Sequence, residues 1–300
     1  GAAVKRSLLA FGSGALFAIG LAVSGMTQPQ KVIAFLDFTG AFGVASLGQV
    51  HAAMLSGVGL SDILPQVRIL DIPFLYRNHE ETDRVRGLLQ PGFEEKLRGQ
   101  GFIALGWADL GTLYMFSKEP LRTTEDLRKR RVWVWEGDTV AEATFQTCGV
   151  GPIPVAVPDV LTSLRTGLLD TVYVSPVASI ALQWFTAVHT MTNLPILDAF
   201  CLLLISDKQW QKIRPEDQKV VLDVNRRTAV RLIQETRRQD QESIRTLRQK
   251  GIVVIEPEES TRRELQTIAR EVSHKLVGRL YSQELLDQVL ASLGERKKAD

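Results

Sequence analysis

Residues 121–176 constrain this chain more than any other stretch, because they alternate element types within a short span. They read as a helix start, a strand, a helix, a strand, a helix and a strand. Val132 and Val134 share one face of the first strand, and Trp133 and Trp135 share the other. That strand stops at Glu136-Gly137-Asp138. The carboxyl end of a strand is where an open α/β sheet places a ligand. No catalytic motif accompanies it: the chain has no G-x-S-x-G elbow, no H-E-x-x-H and no G-x-x-x-x-G-K-[ST] loop. A scaffold with aromatic groups at its mouth points to binding, and the chain is read as a non-enzyme with no catalytic residues.

Composition narrows the partners. The 300 residues are 45% hydrophobic, enough to bury one large core or two smaller ones. The formal net charge of +2, with acidic residues interspersed among the basic ones of the C-terminal third, describes solvated helix faces. It gives no one-sided basic stripe, so nucleic acid is excluded as a partner. Cys148 and Cys201 are not spaced as C-x-x-C, and His51, His79, His189 and His274 are scattered. No metal site or cofactor is expected from them. Both cysteines lie in apolar surroundings, as buried thiols do.

Elsewhere the pattern continues. Residues 52–59 read as a strand running into a Gly-rich turn. Residues 80–100 read as a helix interrupted near Pro91-Gly92. Residues 102–107 and 113–116 are strand-like, and 199–205 (AFCLLLI) match a strand buried on both faces. Residues 215–250 predict one long helix, packed through Val221, Val224, Thr228 and Leu232, with a polar middle (RRQDQES) on the surface. Ile252 to Ile255 is strand-like, Thr261 and Glu264 form a capping box for the next helix, and Ser282 to Leu293 forms the last. Strands alternating with helices indicate an α/β fold.

The motif order carries a resemblance. Thr123-Thr124-Glu125-Asp126-Leu127 opens it, and CGVGPIPV (148–155) and DVLTSLRTGLLD (159–170) follow. Upstream stand LDIPFLYRNHEETDRV (70–85) and GFIALGWADLGTLYMFSKEP (101–120). Together they resemble the substrate-binding proteins of TRAP (tripartite ATP-independent periplasmic) transporters, from about Ser46 onward. The resemblance implies an α/β, two-lobed periplasmic binding protein fold with a long C-terminal helix, preceded here by one hydrophobic N-terminal helix. The expected division is 1–42 hydrophobic segment, 43–121 first lobe, 122–205 second lobe, and 206–300 long helix, crossing strand and C-terminal helices, part of which completes the first lobe. It also implies a small-molecule ligand and small and large membrane subunits as partners.

In that family an arginine on the strand after the EDL opening pairs with a substrate carboxylate; the matching position here is Trp133. Arg131, two residues earlier, offers a substitute guanidinium. A tryptophan presents an apolar face and one N–H donor, which favours an aromatic, lipid-like or cationic ligand over a small dicarboxylate. The expected ligand is therefore an apolar, lipid-like, aromatic or cationic molecule, with an organic acid as what the resemblance implies. Glu136, Tyr173 and Ser175, with Trp107, Asp109, Trp135 and Trp184, complete the candidate ligand-binding set. Four of the five tryptophans fall between residues 107 and 184.

The N-terminus differs from the rest. No charged residue occurs between Ser7 and Gln30, Lys5-Arg6 stands just before, and Ala10, Gly14, Ala18 and Ala22 recur at every fourth position. About 20 apolar residues span a bilayer as a helix. The pattern fits either a cleavable signal peptide or an inner-membrane anchor through residues 7–25, and hence periplasmic localisation. LAVSGMTQPQKVIAFLDFTGAF (21–42) resembles one helix and loop of YeeE/YedE-type sulfur-transport membrane proteins. Lys31 to Phe38 stands where a substitute first strand of the lobe would run. Two alternatives stay open beside a transporter's binding component: a membrane-tethered ligand sensor, and a rearranged remnant with an incomplete first lobe.

Overall fold

The protein is described from a computed structural model over residues 51–294. The expected N-terminal helix, its small-residue ladder and the substitute first strand lie outside those residues. Among the described residues no helix is long and apolar enough to cross a membrane.

The described residues begin with β1 (Ala52–Ser56) and the single turn α1 (Gly57–Leu60), where the Ser56 side chain accepts from Gly59 N. A 3-10 helix over Pro65–Asp71 precedes α2 (His79–Gly99). This helix runs unbroken through Pro91, against the expected interruption. The residue one turn earlier, whose carbonyl meets the proline ring, is Gly87, which brings no side chain to that contact. Next come β2 (Phe102–Thr112), β3 (Tyr114–Ser117), α3 (Thr124–Arg128) and β4 (Trp133–Val134). They are followed by α4 (Thr139–Thr147), β5 (Ile153–Pro154), α5 (Val157–Thr166), β6 (Thr171–Val174) and α6 (Pro176–Ala181). The remainder is β7 (Thr190–Thr192), β8 (Asp198–Ser206), α7 (Asp207–Trp210), the long α8 (Pro215–Gln249), β9 (Val253–Ile255), α9 (Glu259–Lys275) and α10 (Gln283–Ser292).

Two lobes form around two sheets. The first sheet has the order β1-β8-β2, with β8 antiparallel to both neighbours. The second has the order β6-β3-β7-β9, and a bridge from Val132 to Thr171 brings the β4-β5 pair alongside β6. Sheet membership therefore changes at Leu113, ahead of the expected 121/122 boundary. β8, grouped with the second lobe in the sequence reading, is the central strand of the first. A continuous apolar run suits that place, since Cys201, Leu202 and Leu204 are all buried. Both cysteines are free and buried.

The chain passes between the sheets at Leu113 and again at Ile196–Leu197. These segments are bound together: Leu113 N donates to Leu197 O (2.9 Å) and Ile196 N to Leu113 O (2.9 Å). Helix α8 braces the crossing, for the Asp240 carboxylate accepts from Thr112 N at 2.8 Å. This departs from the expected surface location of the helix's polar middle, because Asp240 is buried. Val224 and Leu232, expected on the packed face, are instead 45% and 40% exposed; Val221 packs beside the small cluster of Ile103, Leu105 and Trp210. The capping box also falls elsewhere. Thr123 and Asp126 form one at α3, whereas Thr261 donates to Arg122 O and Glu264 accepts from Thr124. Glu258 precedes α9 in extended conformation, which moves its start ahead of Thr261.

Gly111 sits at the crossing with φ +110°, and an added Cβ would lie 2.8 Å from Ser175 Cβ and 2.9 Å from Asp240 Oδ2. Replacement by alanine combines backbone strain with a steric conflict. G111A is expected to lose roughly 1–3 kcal/mol of stability, read as a lower urea midpoint.

Candidate functional site

A cavity of about 70 Å³ lies between the lobes. Ser56, Gly57, Val58, Leu110, Ala199 and Phe200 wall it from the first lobe; Trp135, Asp138, Ala141, Phe145 and Tyr173 wall it from the second. Leu113, Ile196 and Leu197 at the crossings close its back. Most of the lining is apolar, and the charged groups gather at one place.

Those groups are Arg68, Asp71 and Asp138, all buried. In a 3-10 helix, residues three apart eclipse one another, so the helix over Pro65–Asp71 sets Arg68 and Asp71 on one side. Arg68 Nε stands 3.2 Å from Asp71 Oδ2. Gly57 makes room for that carboxylate: a Cβ there would lie 1.8 Å from Asp71 Oδ2. Asp138 comes from the other lobe. The chain leaves β4, turns with Asp138 N donating to Trp135 O, and passes Gly137 at φ +83°, a conformation glycine takes without cost. Asp138 then caps α4, its Oδ1 accepting from Ala141 N at 3.1 Å. The same oxygen accepts from Arg68 Nη2 at 2.5 Å, so a single hydrogen bond ties the two lobes across the cavity.

The electrostatics are unbalanced. Burial alone would lower the pKa of Arg68, but Asp138 and Asp71 outweigh it and hold the guanidinium charged. Asp71 is pushed up to about 7, because burial outweighs the attraction of Arg68 and Asp138 adds repulsion.

The nine residues expected from sequence separate into groups. Trp135 and Tyr173 line the cavity, and Trp135 N donates to Tyr173 Oη at 3.4 Å. Trp133 does not line it. Its indole N–H donates to Val155 O at 2.8 Å, and its ring packs among Trp135, Tyr173 and the edge-on Trp184. Trp184 is likewise buried in that aromatic cluster. Trp107 packs between Phe93 and Phe200 and donates to Glu94, away from the cavity lining. Asp109 is engaged on both oxygens, by Arg86 at 2.5 Å and Arg237 at 3.0 Å. Arg131 is 55% exposed in its side chain and pairs with Asp170; Glu136 is exposed. Ser175 caps α6, accepting from Ala178 N.

Arg68, Asp71 and Asp138 were absent from that set. Their signal was nonetheless present: the run from Leu64 to Leu75 is apolar except for Gln66 and the one opposite-charge pair Arg68 and Asp71. Charges in such a run are seldom buried without a partner or a task.

With this geometry in view, the chain can be set beside known proteins. A family model described as bacterial extracellular solute-binding protein, family 7 matches residues 42–279. A second, described as a family of unknown function (DUF6691), matches residues 6–65. It stands where the YeeE/YedE resemblance was read. A solute-binding protein of Verminephrobacter eiseniae is 27% identical over 215 residues, 70% of this chain and 63% of the relative. The first curated relatives are thus matched over 55% and 63% of their own length. Among solved structures, a Bordetella pertussis extracytoplasmic solute receptor binding pyroglutamic acid superposes with TM-score 0.76 at 19% identity, covering 84% of this chain and 83% of that one. A TRAP periplasmic solute-binding protein of Ralstonia eutropha H16 with bound (S)-2-acetolactate gives TM-score 0.79 at 16% identity, covering 90% and 87%.

Two variants test the ion-pair arrangement. R68M leaves Asp138 buried without its cation and is expected to cost about 3–5 kcal/mol in urea unfolding. D71N acts differently. The folded-state pKa near 7 exceeds the ordinary 3.8, so wild-type stability should fall as pH rises from about 3.8 through about 7 and level off above. D71N removes that contribution: its unfolding free energy relative to wild type should rise across the same interval.

Proposed function

The chain belongs to the bacterial extracellular solute-binding proteins of family 7, and on that premise we propose that it is the periplasmic receptor of a TRAP-type transporter, closing two lobes on a small solute and passing it to membrane subunits. One observation carries the reading. The cavity is walled by both sheets and backed by the two crossings, with Arg68 and Asp138 meeting across it. Hinge closure brings ligand contacts from two lobes together in such an arrangement.

The aromatic and aliphatic walls, from Trp135, Tyr173, Phe145, Phe200 and Leu110, suit a compact apolar body, and the charged groups supply one polar end. A volume of about 70 Å³ favours a small molecule over a lipid-like one. The acids named for the related structures support a solute of that size. A receptor role is favoured over catalysis, since the cavity assembles no nucleophile with an adjacent base. A retained membrane anchor is not part of this reading.

Protein isolated from its own cells, examined intact by native mass spectrometry, is expected to carry a small solute released on denaturation. Titrating that solute back should change tryptophan fluorescence, and W135F should remove most of the change. Absence of any retained or titratable solute in a cooperatively folded protein would refute the receptor reading.

A further inference from the structure

The charge inside the cavity identifies the solute's chemistry more closely than its shape does, on the footing that the cavity is the binding site. Two carboxylates, Asp71 and Asp138, face one guanidinium, Arg68, and all three residues are buried in a lining that is otherwise largely apolar. Asp138 is well provided for, by Arg68 Nη2 and by Ala141 N. Asp71 is not: among the described residues its one polar partner is the edge of Arg68 at Nε, 3.2 Å away. That contact lacks hydrogen-bond geometry, which leaves the buried Nε without an acceptor. A carboxylate held in a largely apolar lining with so little pairing is costly unless something else completes it.

We propose that the solute bears a cationic nitrogen, held by Asp71, with a compact apolar body against Trp135, Phe145 and Phe200. With Asp71 ionised, a purely acidic solute would bring a third negative charge to one guanidinium in a low-dielectric enclosure, where like charges repel strongly. A cation instead completes the pairing, giving two positive and two negative groups. The acidic ligands named for the related structures therefore do not transfer to this chain unless the molecule also carries a basic nitrogen.

Burial keeps Asp71 largely protonated below about pH 7. The groups facing it are Arg68 from its own helix, Asp138 from the second lobe, and the hydroxyls of Tyr173 and Tyr76. A cationic solute selects the ionised carboxylate, so its affinity rises with pH up to about 7 and is flat above. An acid shows the opposite trend.

Four five-membered rings of similar size separate the cases in calorimetric titrations of the whole protein: pyrrolidine, L-proline, cyclopentanecarboxylate and pyroglutamate. Binding of pyrrolidine and proline at least about tenfold tighter than of the two acids, with affinity rising towards neutral pH, is expected. D71N should weaken the two amines about tenfold or more and abolish their pH trend, with an unchanged circular dichroism spectrum as the check on folding. Tighter binding of the acids, equal binding of all four, or no binding of the amines overturns the assignment. The receptor reading fails separately, on the absence of a retained solute.

Discussion

Both lobes depend on how the chain crosses between them. Leu113 and the Ile196–Leu197 segment exchange two backbone hydrogen bonds, and Asp240 from α8 accepts from Thr112 beside them. A buried carboxylate at such a place is unusual, and burial raises it to about 6 even though it accepts the backbone N–H of Thr112. Among the described residues its second oxygen has no partner. The cost is accepted because crossing segments lack a complete sheet ladder, and their amides need acceptors from elsewhere. Arg237, three residues earlier on the same helix, fastens Asp109 of β2 and Asp83 of α2, so α8 also joins the strand and the helix of the first lobe.

The fold was legible because its signals are local. Alternation in 121–176, the apolar run of β8 and the length of α8 each follow from a periodicity that neighbours cannot readily overrule. What failed was long-range. The RRQDQES stretch looks solvated by composition, yet Arg237 and Asp240 are drawn inward by acceptors and donors from β2 that no window along the helix displays. Conversely, Val224 and Leu232 have the spacing of a packed face, and no described element covers them.

The lining of the candidate cavity was legible only in small part, for the same reason. Trp135 and Tyr173 were placed through strand alternation. Trp133 shares a strand face with Trp135, and sequence spacing does not distinguish the end of a strand from its interior. One residue position decides whether an indole meets a cavity or, as here, a neighbouring carbonyl. Aromatic residues drew attention, whereas two of the charged groups lining the cavity come from a pair inside the apolar run from Leu64 to Leu75. Asp138 was visible only as the end of a strand. Its role depends on Arg68, seventy positions away, and on the cap it makes on α4.

That double use of Asp138 has a consequence for how the lobes meet. An ion pair between two independent side chains ordinarily freezes rotamers when it forms, at about 0.5–1.5 kcal/mol for each. Here each partner is oriented within its own lobe beforehand, Asp138 by the Ala141 amide and Arg68 by the neighbouring Asp71. Little disorder remains for closure to remove. On the receptor reading proposed above, the lobes would close as surfaces already shaped for each other, and the entropy of aligning them would be spent when each lobe folds.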